Sequence, residues 1–433
     1  MVYYNVLDIP VNSKLLIIPI LSDVHLHRCE NRISFIYAHD IVSNDEFILN
    51  YNHNDYDTLD MLVGIDIFKS NSFVYKKGIL YNNIERLIDV ELCNWLFKYP
   101  LEKVEYTTKI QQYYRWYYDV DNINDIIPIV LHIEYCRLIV NTYKDIIEKV
   151  DIEDKSLQFY NDIVLTNYFK IEDSGLNVDS NLTEHFFGIK STKLYTEYNM
   201  FTSTGRPSNR FNGINFAALN KSTGVRSTII RENETTKILE LDYDSHHLRL
   251  AANLIGYEFP MSDVHIYLGR QYFSTPILTD EQRNSAKEIS FKTMYSDTHE
   301  YSNISFFTAL DEYKNKLWSA YISNGYVETP IGKRKLSRDM FTDMYRSKLF
   351  NYILQSYETE VNNLILHKIL NYLYTKHSKL LLYTYDAFTF MFDIRDGKEL
   401  ITDLLEITNH SNLLVRMKVG NNYNELRKIN IQK

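Results

Sequence analysis

The sequence predicts an α+β protein of several domains. Three observations carry this expectation: short apolar runs between polar turns near the N-terminus, stretches of helical periodicity after them, and two later groups of apolar strands that each present an aspartate. From Lys14 to about Tyr51, the runs Leu15-Leu16-Ile17-Ile18, Ile33-Ser34-Phe35-Ile36-Tyr37 and Phe47-Ile48-Leu49 are separated by polar turns, as strands are. Asn83 to Phe97 and Asp125 to Val150 repeat apolar residues at helical spacings, as in Ile129, Leu131, Ile133, Cys136 and Ile139-Val140. A more acidic, weakly patterned stretch follows, Asp151 to Asp179. Lys237 to Tyr243 reads as a strand with Leu239 and Leu241 on one face and Glu240 and Asp242 on the other, and Ser245 to Ile255 as the start of a helix. Leu380 to Phe392 reads as two apolar strands with Asp386 at the bend.

Composition narrows the class. A chain of 433 residues with 45% hydrophobic and 24% charged residues is long enough for several cores, which excludes global disorder. Cys29, Cys93 and Cys136, all in the first third, form neither a disulfide framework nor a zinc cluster and point to a reducing compartment. No apolar run is long enough for a membrane span and no secretory signal is legible, so a soluble cytoplasmic protein is expected. A net charge of -9 argues at first sight against nucleic acid, because phosphate backbones are bound by an excess of Lys and Arg. The whole-chain sum hides local fields, however. Between Thr202 and Arg231 stand Arg206, Arg210, Lys221, Arg226 and Arg231 with no acidic residue among them. The 36 Tyr against 13 Gly and 8 Pro read as the drift of a genome poor in G and C.

Two buried strands that each present one carboxylate can hold divalent metals between them. Magnesium takes few carboxylates together with water and phosphate oxygens, and a metal pair about 3.5–4 Å apart can activate an attacking oxygen and stabilise a leaving one. Either aspartate alone suits a turn or a helix cap equally well. Between them, Arg283, Lys287, Phe291 and Tyr295 recur every fourth residue. On a helix they form one stripe roughly 18 Å long, with charge for a triphosphate and rings to stack on a base.

Further short motifs flank these groups. In order they are Thr204-Gly205-Arg206 with Asn215; Asp242-Tyr243 with Leu248-Arg249; Asp263-Val264-His265; Arg283, Lys287, Phe291 and Tyr295; Gly325 to Lys333-Arg334; Asn351 with Gln355; and Tyr385-Asp386. Over residues 200 to 390 this series resembles the family A DNA polymerases, and a weaker similarity at Ile126 to Glu134 looks like the segment that begins the family's thumb. The resemblance implies a right-hand polymerase fold with an antiparallel-sheet palm, helical fingers and thumb, and a small α/β N-terminal domain like a truncated exonuclease domain. The corresponding boundaries are 1–110 for that domain, 111–195 for the thumb, 196–256 and 346–433 for the palm, and 257–345 for the fingers. It implies template-directed addition of deoxynucleotides to a primer 3′-hydroxyl, as a monomer, in the cytoplasm of a host cell taken as bacterial, for an AT-rich virus or mobile element. Two Mg2+ ions would be held by Asp242, Asp386 and the Tyr243 carbonyl, and the triphosphate by Arg283, Lys287 and His265. Lys287 would also protonate the leaving pyrophosphate, and Phe291 and Tyr295 would stack on the incoming base. Arg206, Asn215 and Gln355 would meet primer, template or minor groove, and Lys333, Arg334 and Lys335 the duplex phosphates. Primer-template DNA and deoxynucleoside triphosphates are the implied partners, with a processivity factor, a helicase-primase or a single-strand-binding protein beside them.

The departures are specific. The Glu that the family carries five residues after the first aspartate, near the Tyr of the stripe and against a ribose 2′-hydroxyl, is His247 here. The usual His-Asp-Glu reads Tyr385-Asp386-Ala387, the glycines expected after Phe291 and Tyr295 are Lys292 and Ser296, and Ser356 to Glu360 replaces a Gly-Thr-Ala-Ala-Asp run. His247 keeps a second reading open, a single-subunit RNA polymerase or ribonucleotide-tolerant nucleotidyltransferase. Proofreading is not expected, because the first strand lacks the Asp-x-Glu of an exonuclease and Asp89-Val90-Glu91 suits a helix start better. Asp23, His25, His27 and Cys29 could ligate a metal, but one strand cannot surround a tetrahedral ion, so a surface strand is favoured.

Overall fold

The computed structural model describes residues 13–21, 27, 29–30, 33–50, 66–69, 87–97, 129–209, 214–297, 300–409 and 413–429. Asp23, His25, Arg210 and residues 126–128 of the expected thumb start lie outside them. The chain forms two units, 1–169 and 170–433.

In the first unit, strands β1 (Lys14–Leu21), β2 (Ile33–Asp40), β3 (Glu46–Asn50), β4 (Asp66–Lys69) and β5 (Leu87–Asp89) make one sheet in the order β3-β2-β1-β4-β5. β1 to β3 pair antiparallel, while β4 and β5 run parallel to β1. The central position of β1 explains its sequence, since Leu15, Leu16, Ile17 and Ile18 are all buried and a strand covered on both faces reads as a continuous apolar run. Helix α1 (Val90–Phe97) follows β5, and α2 (Ile129–Lys149) packs on β1 and β2 through Ile133, Cys136, Ile139, Val140 and Ile146, one face at helical spacing. Of the stretch Asn83 to Phe97 expected as a helix, 90–97 are helical and 87–89 are not, while 83–86 lie outside the described residues. Leu87 and Ile88 have entered the sheet as a short buried strand, where β-branched and apolar side chains fit as well as in a helix. Asp89 is fully buried and its Oδ1 accepts from the Glu91 and Leu92 amides at 2.9 and 3.0 Å, the geometry of an N-cap. β1 carries no carboxylate at all.

In the second unit the principal sheet is wholly antiparallel: β6 (Thr236–Asp244), β7 (Lys379–Tyr383), β8 (Ala387–Asp393), β9 (Leu414–Gly420) and β10 (Arg427–Ile429), in the order β7-β8-β6-β9-β10. Ile238, Leu381, Leu382 and Met391 from it join Phe216, Val225, Ile229 and Tyr423 in one core. The unit also contains helices α3 (His246–Ile255), α4 (Val264–Tyr272), α5 (Asp280–Tyr295), α6 (Ser305–Asn324), α7 (Arg346–Leu373) and α8 (Gly397–Thr408), among other elements that include a short hairpin, Tyr326–Glu328 and Lys335–Ser337. Among the described residues no helix is long and apolar enough to cross a membrane.

α7 is buried around much of its circumference, and its polar residues are placed to bond neighbours. Asn362, fully buried, donates to the Tyr385 carbonyl at 2.6 Å and the Tyr383 hydroxyl at 3.2 Å, and Ser356 donates to the Thr204 carbonyl at 3.0 Å. Asn362→Leu removes the only side chain described as tying α7 to the turn after β7 and leaves a carbonyl unsatisfied; a loss of about 1–3 kcal/mol in urea unfolding is expected.

Candidate active site

The two aspartates meet because of strand register. β6 pairs with β8 so that Asp242 stands opposite Ala387, one residue past Asp386, and the Tyr243 amide donates to the Asp386 carbonyl at 2.8 Å. The turn before β8 is closed by Thr384 N to Ala387 O at 2.9 Å and forces Tyr385 to φ 66°, a left-handed conformation that is costly for an aromatic residue. Asn362 donates to the Tyr385 carbonyl and holds the turn in place. At the end of β6, Ser245 takes φ 53° and turns the chain into α3. Both left-handed residues thus sit beside the carboxylates.

α5 carries the cation-aromatic stripe. Thr279 and Gln282 cap its start reciprocally, and α4 packs close beside it because Gly269 has no side chain: a Cβ there would lie 2.6 Å from Leu278 and 2.9 Å from Ala286. Asp263 caps α4 through Oδ1, while its Oδ2 accepts from Arg283 at 2.6 and 2.9 Å. Burial would raise the Asp263 carboxyl, but Arg283 and the helix amides hold it below the ordinary range. Phe291 and Tyr295 stack with centroids 6.2 Å apart and planes at 8°.

One cavity of about 460 Å³ collects the predicted groups: Asp242, Tyr243, Asp386, Arg283, Lys287, Phe291, His265, His247 and Arg206 all line it. Its formal charge balances, with Arg206, Arg283, Lys287 and Arg416 against Asp242, Asp244, Glu358 and Asp386. Lys287 is exposed on the wall. His265 is buried, and burial with the nearby cations lowers its imidazole to about 4, so at neutral pH it offers a hydrogen bond and no charge. Asp386 keeps open surface, yet enclosure by protein raises its carboxyl, and the Asp242 charge raises it further. Such a pair of mutually repelling carboxylates fits a hard divalent cation. Among the described residues no cluster of three His, Cys, Asp or Glu could hold a metal alone, so a cation here needs further oxygens from water or a ligand.

Several residues that shape the site were not singled out in the sequence. Glu358 of α7 is almost fully buried and accepts from His247 Nε2 at 2.8 Å, with Arg206 Nε at 3.0 Å and His246 Nδ1 at 3.4 Å. His247 Nδ1 in turn bonds the Tyr295 hydroxyl. An Nε2–H toward the carboxylate and an Nδ1 lone pair toward the phenol satisfy all three groups. Burial would raise Glu358, but His247, His246 and Arg206 outweigh it and hold the carboxyl well below the ordinary range. Arg206 also lies 4.0 Å from the centroid of the Tyr385 ring. On the sheet, Lys418 reaches Glu240 at 2.6 Å and Asp242 at 2.8 Å, and Arg416 reaches Asp244 at 2.7 Å. The alternation of cations along 413–420 was the available signal for that strand.

The remaining predicted residues lie apart from the cavity. Tyr295 stands behind Phe291, and Gln355 links Thr204 and Asn351 at 3.1 and 2.9 Å. Asn215 precedes a short 3-10 turn, Phe216–Ala218. Lys333 and Lys335 are exposed on the hairpin, but Arg334 is only 2% exposed and donates to the Ser203 carbonyl at 2.9 Å. The expected phosphate contact does not suit Arg334 as placed, because a buried guanidinium bonded to backbone joins two loops and is shielded from a duplex.

This arrangement of an antiparallel sheet with paired carboxylates under a cation-bearing helix is a recognisable fold. No protein-family model matches the chain, and no curated protein matches its sequence. Among solved structures it is similar to the POL domain of Pol1 from M. smegmatis in complex with DNA primer-template and dNTP, with TM-score 0.70 and 11% identity over 95% of this chain and 96% of that one. The chain therefore has a DNA polymerase domain fold, as the ordered motifs led one to expect.

Glu358→Gln is expected to cost about 1–3 kcal/mol at neutral pH, because it weakens the acceptor of His247 and removes the countercharge of Arg206. A depressed carboxyl contributes stability above its ordinary value of 4.5 that is lost as pH falls further, so the gap to the parent should close on acidification. Urea titrations at several pH values measure both.

Proposed function

We propose that the chain is a family A-type, template-directed DNA polymerase that extends a primer 3′-hydroxyl with deoxynucleotides, serving an AT-rich virus or mobile element and lacking proofreading. The observation that carries the reading is the convergence of Asp242, Asp386, Arg283 and Lys287 on one cavity within a polymerase-like fold. Charge supports it. A triphosphate brings about four negative charges into a cavity that is already balanced, so it would enter with divalent cations to offset them.

In this reading Asp242, Asp386 and the Tyr243 carbonyl hold two magnesium ions, which when bound supply charge neutralisation and Lewis acidity at the attacking and leaving oxygens. Arg283 and Lys287 grip the phosphates, Arg283 exchanging part of its hold on Asp263, and His265 adds a neutral donor. Lys287 protonates the leaving pyrophosphate. Phe291 offers its face to the incoming base, backed by Tyr295. His247 and Tyr295, tied to Glu358, bound the sugar side. Arg206, Asn215 and Gln355 serve the primer-template, and Lys333 and Lys335 its phosphates. Residues 1–110 are read as an inactive exonuclease-like domain: β1 lacks a carboxylate, and Asp89 is committed to capping.

Asp242→Ala or Asp386→Ala should lower extension of a labelled primer-template by about 10³-fold or more while leaving DNA binding measurable. Normal extension by either variant refutes the assignment. A carboxylate at 247 would stand against Glu358, so the informative change for sugar choice is His247→Ala. Ribonucleotide incorporation relative to deoxynucleotide should rise about tenfold, and an unchanged ratio would reduce His247 to packing.

A further inference from the structure

Lys418 stands where a metal would compete with it. It lies directly across from Glu240 in the β6–β9 register, and its ammonium bridges Glu240 Oε1 at 2.6 Å and Asp242 Oδ2 at 2.8 Å. Glu240 is 5% exposed. Asp242 lines the cavity whereas Lys418 and Glu240 do not, so the ammonium reaches the carboxylate from the sheet side. Two features keep it there: its strand is paired on both edges, and Glu240 is a buried anion for which Lys418 is the ion-pair partner described. A divalent cation on Asp242 must then share a carboxylate with a positive charge that Glu240 holds beside it, and at such separations like charges repel strongly.

We propose that Lys418 is a tethered counter-cation that makes metal binding at Asp242 depend on the nucleotide: the metal alone binds weakly, and a polyphosphate supplies the negative charge that lets metal and ammonium share the carboxylate. The inference rests on the reading of Asp242 as a metal ligand. It makes Lys418 a positioning residue of the site, acting through Asp242 and touching no substrate. The balanced charge of the cavity lining points the same way, since little net negative charge remains to attract a free cation.

The test measures Mn2+ binding to the full chain by electron paramagnetic resonance, first with Mn2+ alone and then with a deoxynucleoside triphosphate added. Lys418→Met should tighten binding of Mn2+ alone by about tenfold or more, and the difference from the parent should shrink once the triphosphate is present. Lys418→Arg, which keeps the charge, should bind as the parent does. Because Lys418→Met leaves Glu240 buried without its cation, the double variant Lys418→Met/Glu240→Gln serves if the single one does not fold, and it should also bind Mn2+ alone more tightly than the parent. Equal affinity of the parent and the charge-removing variant, or an arginine variant that shifts as much as methionine, overturns the inference. Asp242→Asn separates the two levels. If it leaves Mn2+ binding unchanged, the ligand assignment itself fails; if it abolishes binding while Lys418→Met has no effect, only the role of Lys418 fails.

Discussion

The register between β6 and β8 is the constraint on which the rest of the site depends. Sliding one strand by a single residue would exchange the faces and turn either Asp242 or Asp386 into the apolar side of the sheet. What holds the register is not local. Apolar residues of both strands, Leu239 and Leu241 opposite Phe390 and Phe388, set it from within the sheet, and the Tyr243 amide to Asp386 carbonyl bond sets it at the end. The arrangement costs stability in two ways: Tyr385 and Ser245 are left-handed, and Asp386 is raised by enclosure and by Asp242. Such strain persists only where surrounding structure over-determines it, which is the part that Asn362 of α7 takes.

Around this pair the charges form two linked groups. Arg283 reaches Asp263, Arg416 lies 3.6 Å from the same carboxylate and 2.7 Å from Asp244, and Lys418 reaches Asp242. The helix that carries the cations and the strand beside the carboxylates are thereby connected through Asp263. A ligand that draws Arg283 toward its own phosphates loosens one end of that chain, and Asp263 can then turn more fully to Arg416. An acidic chain thus presents a cavity without excess negative charge, which explains why the net value of -9 says so little about the site.

Much of this was legible in the sequence because the motifs are local. The i, i+4 stripe became one face of α5, and the two Asp-bearing strand groups became neighbours in one sheet. What was not legible depended on distant packing. Leu87 and Ile88 joined a sheet instead of a helix because β4 supplied an open edge, which no window of sequence reveals. Arg334 read as an exposed cation beside Lys333, but alternation along the hairpin turned its side chain inward to Ser203. Lys418, Glu240 and Asn362 owe their roles to partners 176, 178 and 23 residues away, respectively, separations at which spacing carries no signal.

Glu358 shows how a departure in sequence can be offset in space. Set against the resemblance to family A polymerases, His247 and the run around Glu358 read in the sequence as two unrelated departures. Folding brings the two together at 2.8 Å, so that a carboxylate from α7 reaches Tyr295 through an imidazole from α3. The histidine extends the reach of the acid by one ring and gives Tyr295 a fixed acceptor, while Arg206 and His246 supply the countercharge and contacts that let a nearly inaccessible carboxylate remain ionised. Two departures that each look disabling alone are compatible because they meet, with α3 and α7 together placing an imidazole and a carboxylate beside Tyr295.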